Sequence, residues 1–148
     1  MSRSLCATKY QRHLRLGNLR PMDNYSYKEI YMFVSIYIYR VPSQNVEAFL
    51  RVQREAAEIY RRCGAINDET FAPVNLIAKY GCAGFTGAFD IREGEEVFIG
   101  LSSFHDRMHH DTVMAQVDRD ERISELYEEV ASLLDVGRVV RGEFERVE

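Results

Sequence analysis

No stretch of this sequence approaches the roughly 18 uninterrupted apolar residues that a membrane-spanning helix requires. The shorter apolar core of a secretory signal is missing as well. Cysteine is scarce. Cys6, Cys63 and Cys82 are an odd number with no CxxC spacing, poor material for a disulfide framework or a zinc knuckle. Free thiols in a reducing cytoplasm are the expectation. With three prolines and nine glycines the chain is neither collagen-like nor a disordered Pro/Gly tract. Nor is there an excess of positive charge: the net charge of −4 argues against nucleic acid as a partner. What remains is 148 residues, 46% hydrophobic, enough for a single domain that buries roughly 70% of the surface its unfolded chain exposes.

Charge is unevenly spread. Residues 1–22 hold Arg3, Lys9, Arg12, Arg15 and Arg20 and no acid, leaving 14 basic against 23 acidic residues in the remainder. This opening lacks helix or strand periodicity, and residues 1–30 are expected to form a flexible, basic N-terminal extension. Its composition is similar to an organellar presequence, but a tail, a basic arm or a start drawn from upstream explains it more simply. The folded domain is expected to span 31–148.

Within that domain, Tyr31 to Val41 alternates with period two and is apolar on both faces, the mark of a covered central strand. Pro42 stops it. Ser43 or Asn45 can cap a helix from about Val46 to Arg62, whose apolar face recurs at Val46, Phe49, Leu50, Ala57 and Tyr60. Gly64 ends the helix. A short strand is expected over Ala65–Phe71, and VNLIAKY after Pro73 reads as strand or helical turn. Gly81, Gly84 and Gly87 follow, but without the lysine and helix start of a phosphate-binding loop they read as loop and bulge residues. Phe85–Ile91 and Val97–Phe104 read as a hairpin turning at Arg92–Glu95. Asp106 can cap a helix over Arg107–Val117, and Glu121–Leu134 carries the clearest apolar stripe in the chain. Arg138 to Val147 alternates as a last strand.

The order β, α, β, hairpin, α, α, β describes a ferredoxin-like α+β domain, an antiparallel sheet with helices on one face. The uncovered face needs a partner. Phe33, Tyr37 and Tyr39 are expected to lie there, and a two-fold homodimer would shelter them.

Several pieces carry a family resemblance. They are the strand ending in Val41-Pro42, the helix Asn45-Val46-Glu47-Ala48-Phe49, the Gly64-Ala65 stop and Phe85-x-x-Ala88 leading into Gly94-Glu95-x-Val97. Asp111-x-Val113, Val117-x-x-Asp120-x-Arg122, Asp135, Arg138 and Gly142-x-Phe144-Glu145 complete the series. In this order the stretch from Phe33 to Glu145 resembles the YbaA-like proteins, a domain-of-unknown-function family of the dimeric α/β-barrel superfamily. Ser35 departs from it, standing where the family tends to carry an acid, and His105 and His110 stand where it tends to carry proline and arginine. The resemblance implies a fold and a dimer. It offers no catalytic residues.

The titratable cluster is Phe104-His105-Asp106-Arg107-Met108-His109-His110-Asp111. His105 and His109 have the spacing of two helical zinc ligands, but the Asp106 cap leaves His105 outside the helix, and no third ligand is evident. No metal site is expected. His110 shares a helix face with Val113, Met114 and Val117 and should point toward the sheet, where burial favours the neutral imidazole of a general base. The plainer alternative is a histidine hydrogen-bonded at a helix start. Among the tyrosines, Tyr37 and Tyr39 either line a ligand pocket between sheet and helices, as in superfamily relatives, or supply an aromatic dimer interface.

The functional expectation is a small cytoplasmic homodimer of unknown function with no built-in cofactor. Two alternatives accompany it: a cofactor-independent, monooxygenase-like enzyme acting on a small molecule with His110 as base, and a ligand-binding or interaction module.

Overall fold

The alternating apolar run beginning at Phe33 becomes the central strand of the sheet. In the computed structural model, which describes residues 32–147, β1 (Phe33–Pro42) is followed by a 3-10 turn, Ser43–Asn45, and by α1 (Val46–Arg62). Then come β2 (Asn67–Phe71), α2 (Phe85–Ala88), β3 (Glu95–Phe104), α3 (Arg107–Val117) and α4 (Glu121–Leu133). A second 3-10 turn, Val136–Arg138, leads into β4 (Val140–Glu145). The sheet order is β2-β3-β1-β4 with every neighbouring pair antiparallel. That is the ferredoxin-like α+β arrangement. The expected N-terminal extension, 1–30, lies outside the described residues.

The helix ends follow local chemistry. Asp106, in extended backbone, accepts from the His109 amide at 2.7 Å and opens α3 as the sequence predicts. Asp120 does the same for α4 through the Arg122 amide, at 2.9 Å. Neither Ser43 nor Asn45 caps α1. Asn45 instead donates its side-chain amide to the Leu133 carbonyl, tying the start of α1 to the end of α4. Gly64, at φ 113°, supplies the left-handed turn that ends α1.

One expected strand is absent. Phe85–Ile91 forms the short helix α2 and an irregular exit, not the first arm of a hairpin. The ladder explains it. Both edges of β3 are taken, by β2 and by β1, so no position beside it is left for Phe85–Ile91. The VNLIAKY segment likewise forms neither strand nor helix. Around it the chain folds on itself: the Thr86 amide and hydroxyl both donate to the Leu76 carbonyl, and Gly84 packs against the backbone of 76–78.

The strand register sorts the two faces of the sheet, and it corrects the expected placement of three aromatic residues. Phe33, Tyr37 and Tyr39 do not lie on the uncovered face. They point at the helices: Phe33 joins a buried cluster with Phe104, Val113 and Val117, and Tyr39 packs on Phe49 of α1. With both faces of β1 apolar, alternation alone could not say which was which. The opposite face carries Val34, Ile36 and Ile38 of β1, Ile99 and Leu101 of β3, Phe71 of β2 and Val140 and Phe144 of β4. Phe71, Val140 and Phe144 are exposed. The loop after β2 covers only one corner, near Val97, with Leu76 and Phe85.

Charged contacts fasten the layers. Arg122 of α4 makes a two-pronged contact with Glu55 of α1 at 2.5 and 3.0 Å, and Arg51 reaches Glu129 at 2.8 Å. Near the far end of the sheet, Arg138 pairs with Glu95 through both nitrogens, at 2.5 and 3.0 Å, and donates to the Asp90 carbonyl. Hydrogen bonds from Arg138 hold the Glu95 carboxyl down at about 2, below its ordinary value of 4.5. Because the folded-state value is the lower one, Glu95 stabilises the fold fully above about pH 5 and loses that contribution as pH falls toward 2. In urea melts, Glu95→Gln should therefore be less stable than the parent at pH 7, with the gap closing below pH 4. A gap that stays constant with pH would refute the pairing.

Candidate functional site

Between the inward face of the sheet and helices α1 and α4 the packing leaves a half-open cavity of about 250 Å³. Its walls are apolar on the helix side, from Val52 and Ala56 of α1 and from Ile123, Leu126 and Val130 of α4. The sheet side is polar: Tyr37 and Tyr39 from β1, Asp68 from β2 and Ser102 from β3. Tyr60 and Gln53 reach in from α1. Gly100 stands opposite Tyr37 in the ladder, and a Cβ there would lie 3.0 Å from the Tyr39 ring. Its missing side chain gives that ring its place.

The polar groups are specifically held. Ser102 donates to the Asp68 carboxylate at 2.5 Å, across the β2–β3 pair in which the two residues are partners. Tyr39 is hydrogen-bonded to Gln53, and its ring stacks near that of Tyr37 at 6.0 Å. Burial pushes the Tyr39 and Tyr60 phenols well above the usual tyrosine range, so both stay protonated. Burial also raises the Asp68 carboxyl, opposed by the bond from Ser102. The site can therefore present neutral hydroxyls and one carboxylate to a ligand against an oily wall, a common make-up of small-molecule pockets.

Of the residues singled out from sequence, Tyr37 and Tyr39 both line this cavity and His110 does not. His110 is buried on α3, with ring centroids 4.6 Å from Phe33 and 4.9 Å from Phe104. Its Nδ1 lies 2.9 Å from the Asp111 carboxylate. His105 and His109 stack on each other at 4.8 Å, with the His105 amide donating to His109 Nδ1. Among the described residues no group of three or more His, Cys, Asp or Glu side chains is placed to hold a metal ion.

Asp68, Ser102 and Gln53 were not picked out from sequence. One signal was available for Asp68: aspartate is disfavoured within strands, and alternation from Asn67 puts it on the same face as Thr70.

Residues 32–133 match a protein family described as "Protein of unknown function (DUF1428)". The chain belongs to that family. The DUF1428 match takes in β1 through α4, and so the strands and helices that build the cavity, and stops short of β4. No curated protein matches the chain.

Solved structures similar to this DUF1428 chain agree on the fold. A NIPSNAP family protein from Agrobacterium tumefaciens C58 superposes with a TM-score of 0.56 at 15% identity, covering 86% of this chain and 96% of the other. A dimeric ferredoxin-like protein from an uncultured marine organism gives 0.54 at 12% identity, covering 80% and 90%. SnoaB, a cofactor-independent oxygenase from Streptomyces nogalater, gives 0.53 at 11% identity in a mutant form, covering 79% and 94%. At these identities the likeness concerns architecture alone. Among the described residues no helix is long and apolar enough to cross a membrane.

Proposed function

We propose that this DUF1428 protein is a homodimeric, cytoplasmic small-molecule-binding protein whose ligand occupies the cavity between the sheet and helices α1 and α4. The observation that carries the reading is the composition of that cavity, where held polar groups of three strands converge on an apolar wall. Its volume, just below the roughly 300–1,000 Å³ usual for ligand sites, suits a compact molecule. The homodimer is supported by the apolar outer face of the sheet and by the dimeric ferredoxin-like neighbour. The cytoplasmic setting rests on the odd, unpatterned cysteines. The order of motifs from Val41-Pro42 to Gly142-x-Phe144-Glu145 supports kinship with YbaA-like proteins inside the family. A monooxygenase-like enzyme with His110 as base would need its substrate to reach an imidazole that is not among the residues lining the cavity.

Saturation-transfer NMR with p-cresol and indole as probes tests the cavity. Both should bind the full chain. Ala56→Phe, which places a ring in the cavity from α1, should abolish the signal while the protein stays folded. Binding that survives Ala56→Phe, or no probe binding at all, would remove the proposal.

A further inference from the structure

Among the described residues lining the cavity, Asp68 is the one charged side chain. It receives a hydrogen bond from Ser102 and enters no ion pair with any described residue. Arg61, close along the chain, donates to the main-chain carbonyl of Asp68 at 3.3 Å and acts on the carboxylate only through its charge, without an ion-pair contact. Arg54 shares a separate, neighbouring pocket with Asp68 and Arg61, and on the other side Arg141 has its guanidinium carbon 5.5 Å from the Tyr37 ring centroid. It is held there by hydrogen bonds to Tyr37 and to Glu143, the latter at 2.5 Å, and does not line the cavity. The cavity thus combines a half-buried carboxylate that makes no ion pair, and no basic side chain in its lining, with the rings of Tyr37, Tyr39 and Tyr60.

We propose that the ligand is a compact organic ammonium ion, its charge set between Asp68 and the tyrosine rings. This deepens the small-molecule reading and rests on it. Three considerations decide the sign of the charge. An anion would meet a like charge with no positive side chain lining the cavity to offset it. A neutral ligand would displace water from Asp68 and leave the carboxylate without a counter-charge, which is costly in a low-dielectric site. A cation gains twice, from the carboxylate and from the negative faces of aromatic rings, and that second attraction strengthens once water is excluded. Burial already pushes the Asp68 carboxyl upward, outweighing the bond from Ser102 and the charge of Arg61. The apolar wall of Val52, Ala56 and Leu126 suits the carbon substituents of an alkylated amine better than a bare, strongly hydrated ammonium.

Titration calorimetry of the full chain with choline and with 3,3-dimethylbutan-1-ol, its uncharged carbon isostere, isolates the charge. Choline should bind about tenfold tighter or more. Asp68→Asn, which keeps the shape and an acceptor for Ser102, should erase most of that preference without weakening the isostere. Tyr60→Phe should keep choline affinity and Tyr60→Leu should reduce it, separating the ring from the hydroxyl. Equal affinity for the two compounds, no choline binding, or unchanged choline affinity in Asp68→Asn would overturn the proposal. If p-cresol and indole bind while choline does not, only the charge assignment fails. If none of them binds, the cavity reading fails with it.

Discussion

Replacing Ile36 by glutamate should convert the proposed homodimer to a monomer at micromolar concentration without unfolding it. Ile36 sits mid-strand on β1, opposite Leu101 of β3 and Gly142 of β4, at the centre of the sheet face that α1, α3 and α4 leave bare. Around it stand Val34, Ile38, Ile99 and Val140, and the Phe144 ring packs where a side chain on Gly142 would lie. An apolar surface of this kind on a folded monomer marks an interaction site. In a two-fold dimer the same patch faces itself, so each substitution is counted twice. A carboxylate buried there without a partner costs several kcal/mol, and two of them should raise the dissociation constant by about a thousandfold or more. Sedimentation velocity would show the loss of the dimer, and far-UV circular dichroism would show a retained fold, because the side chain points away from the helices. A parent chain that is already monomeric at micromolar concentration, or an Ile36→Glu protein that still dimerises, would remove the homodimer from the proposed function.

That surface also shows how far the sequence could be read. The period of β1, the length of α1 and the Asp106 cap are local: alternation, amphipathic spacing and a side-chain acceptor before a helix each leave their mark within a few residues. The fold class followed from their order. Which face of β1 meets the helices is not local, because Phe33, Tyr37 and Tyr39 on one face and Val34, Ile36 and Ile38 on the other are both apolar. The tie is settled in three dimensions, where Phe49 and Phe98 give Tyr39 an aromatic pocket and Gly100 clears room for its ring. Phe85–Ile91 departs from the expected strand for a related reason: strand-like composition needs a free sheet edge, and β3 has none. The cavity was legible only in part. Tyr37 and Tyr39 stand out as aromatic residues on one strand, whereas Asp68 and Ser102 lie 34 positions apart and meet only once β2 pairs with β3.

Phe49→Ala should be among the most destabilising single substitutions in the domain and should damage the cavity as well. The side chain is fully buried, with ring centroids 5.1 Å from Tyr39 and 5.5 Å from Phe98, in a cluster closed by Val41 and Leu134. Removing a buried phenylalanine ring costs about 3–5 kcal/mol, through lost transfer energy and the void left behind. For a chain of this size that corresponds to a fall of roughly 10–15 °C in Tm. Glu47→Ala, on the exposed side of the same helix, should change stability by no more than about 0.5 kcal/mol and serves as the comparison. Phe49 does not itself line the cavity, but it backs Tyr39, which does. Without it the Tyr39 ring is free to tilt into the new void, away from Gln53, so ligand affinity should fall in protein that is still folded at 20 °C. Thermal unfolding followed by calorimetry measures the first effect, and probe binding below the transition measures the second. A stability loss under about 1 kcal/mol would mean that the α1–sheet contact is not anchored at Phe49, and unchanged binding would mean that Tyr39 is positioned from elsewhere.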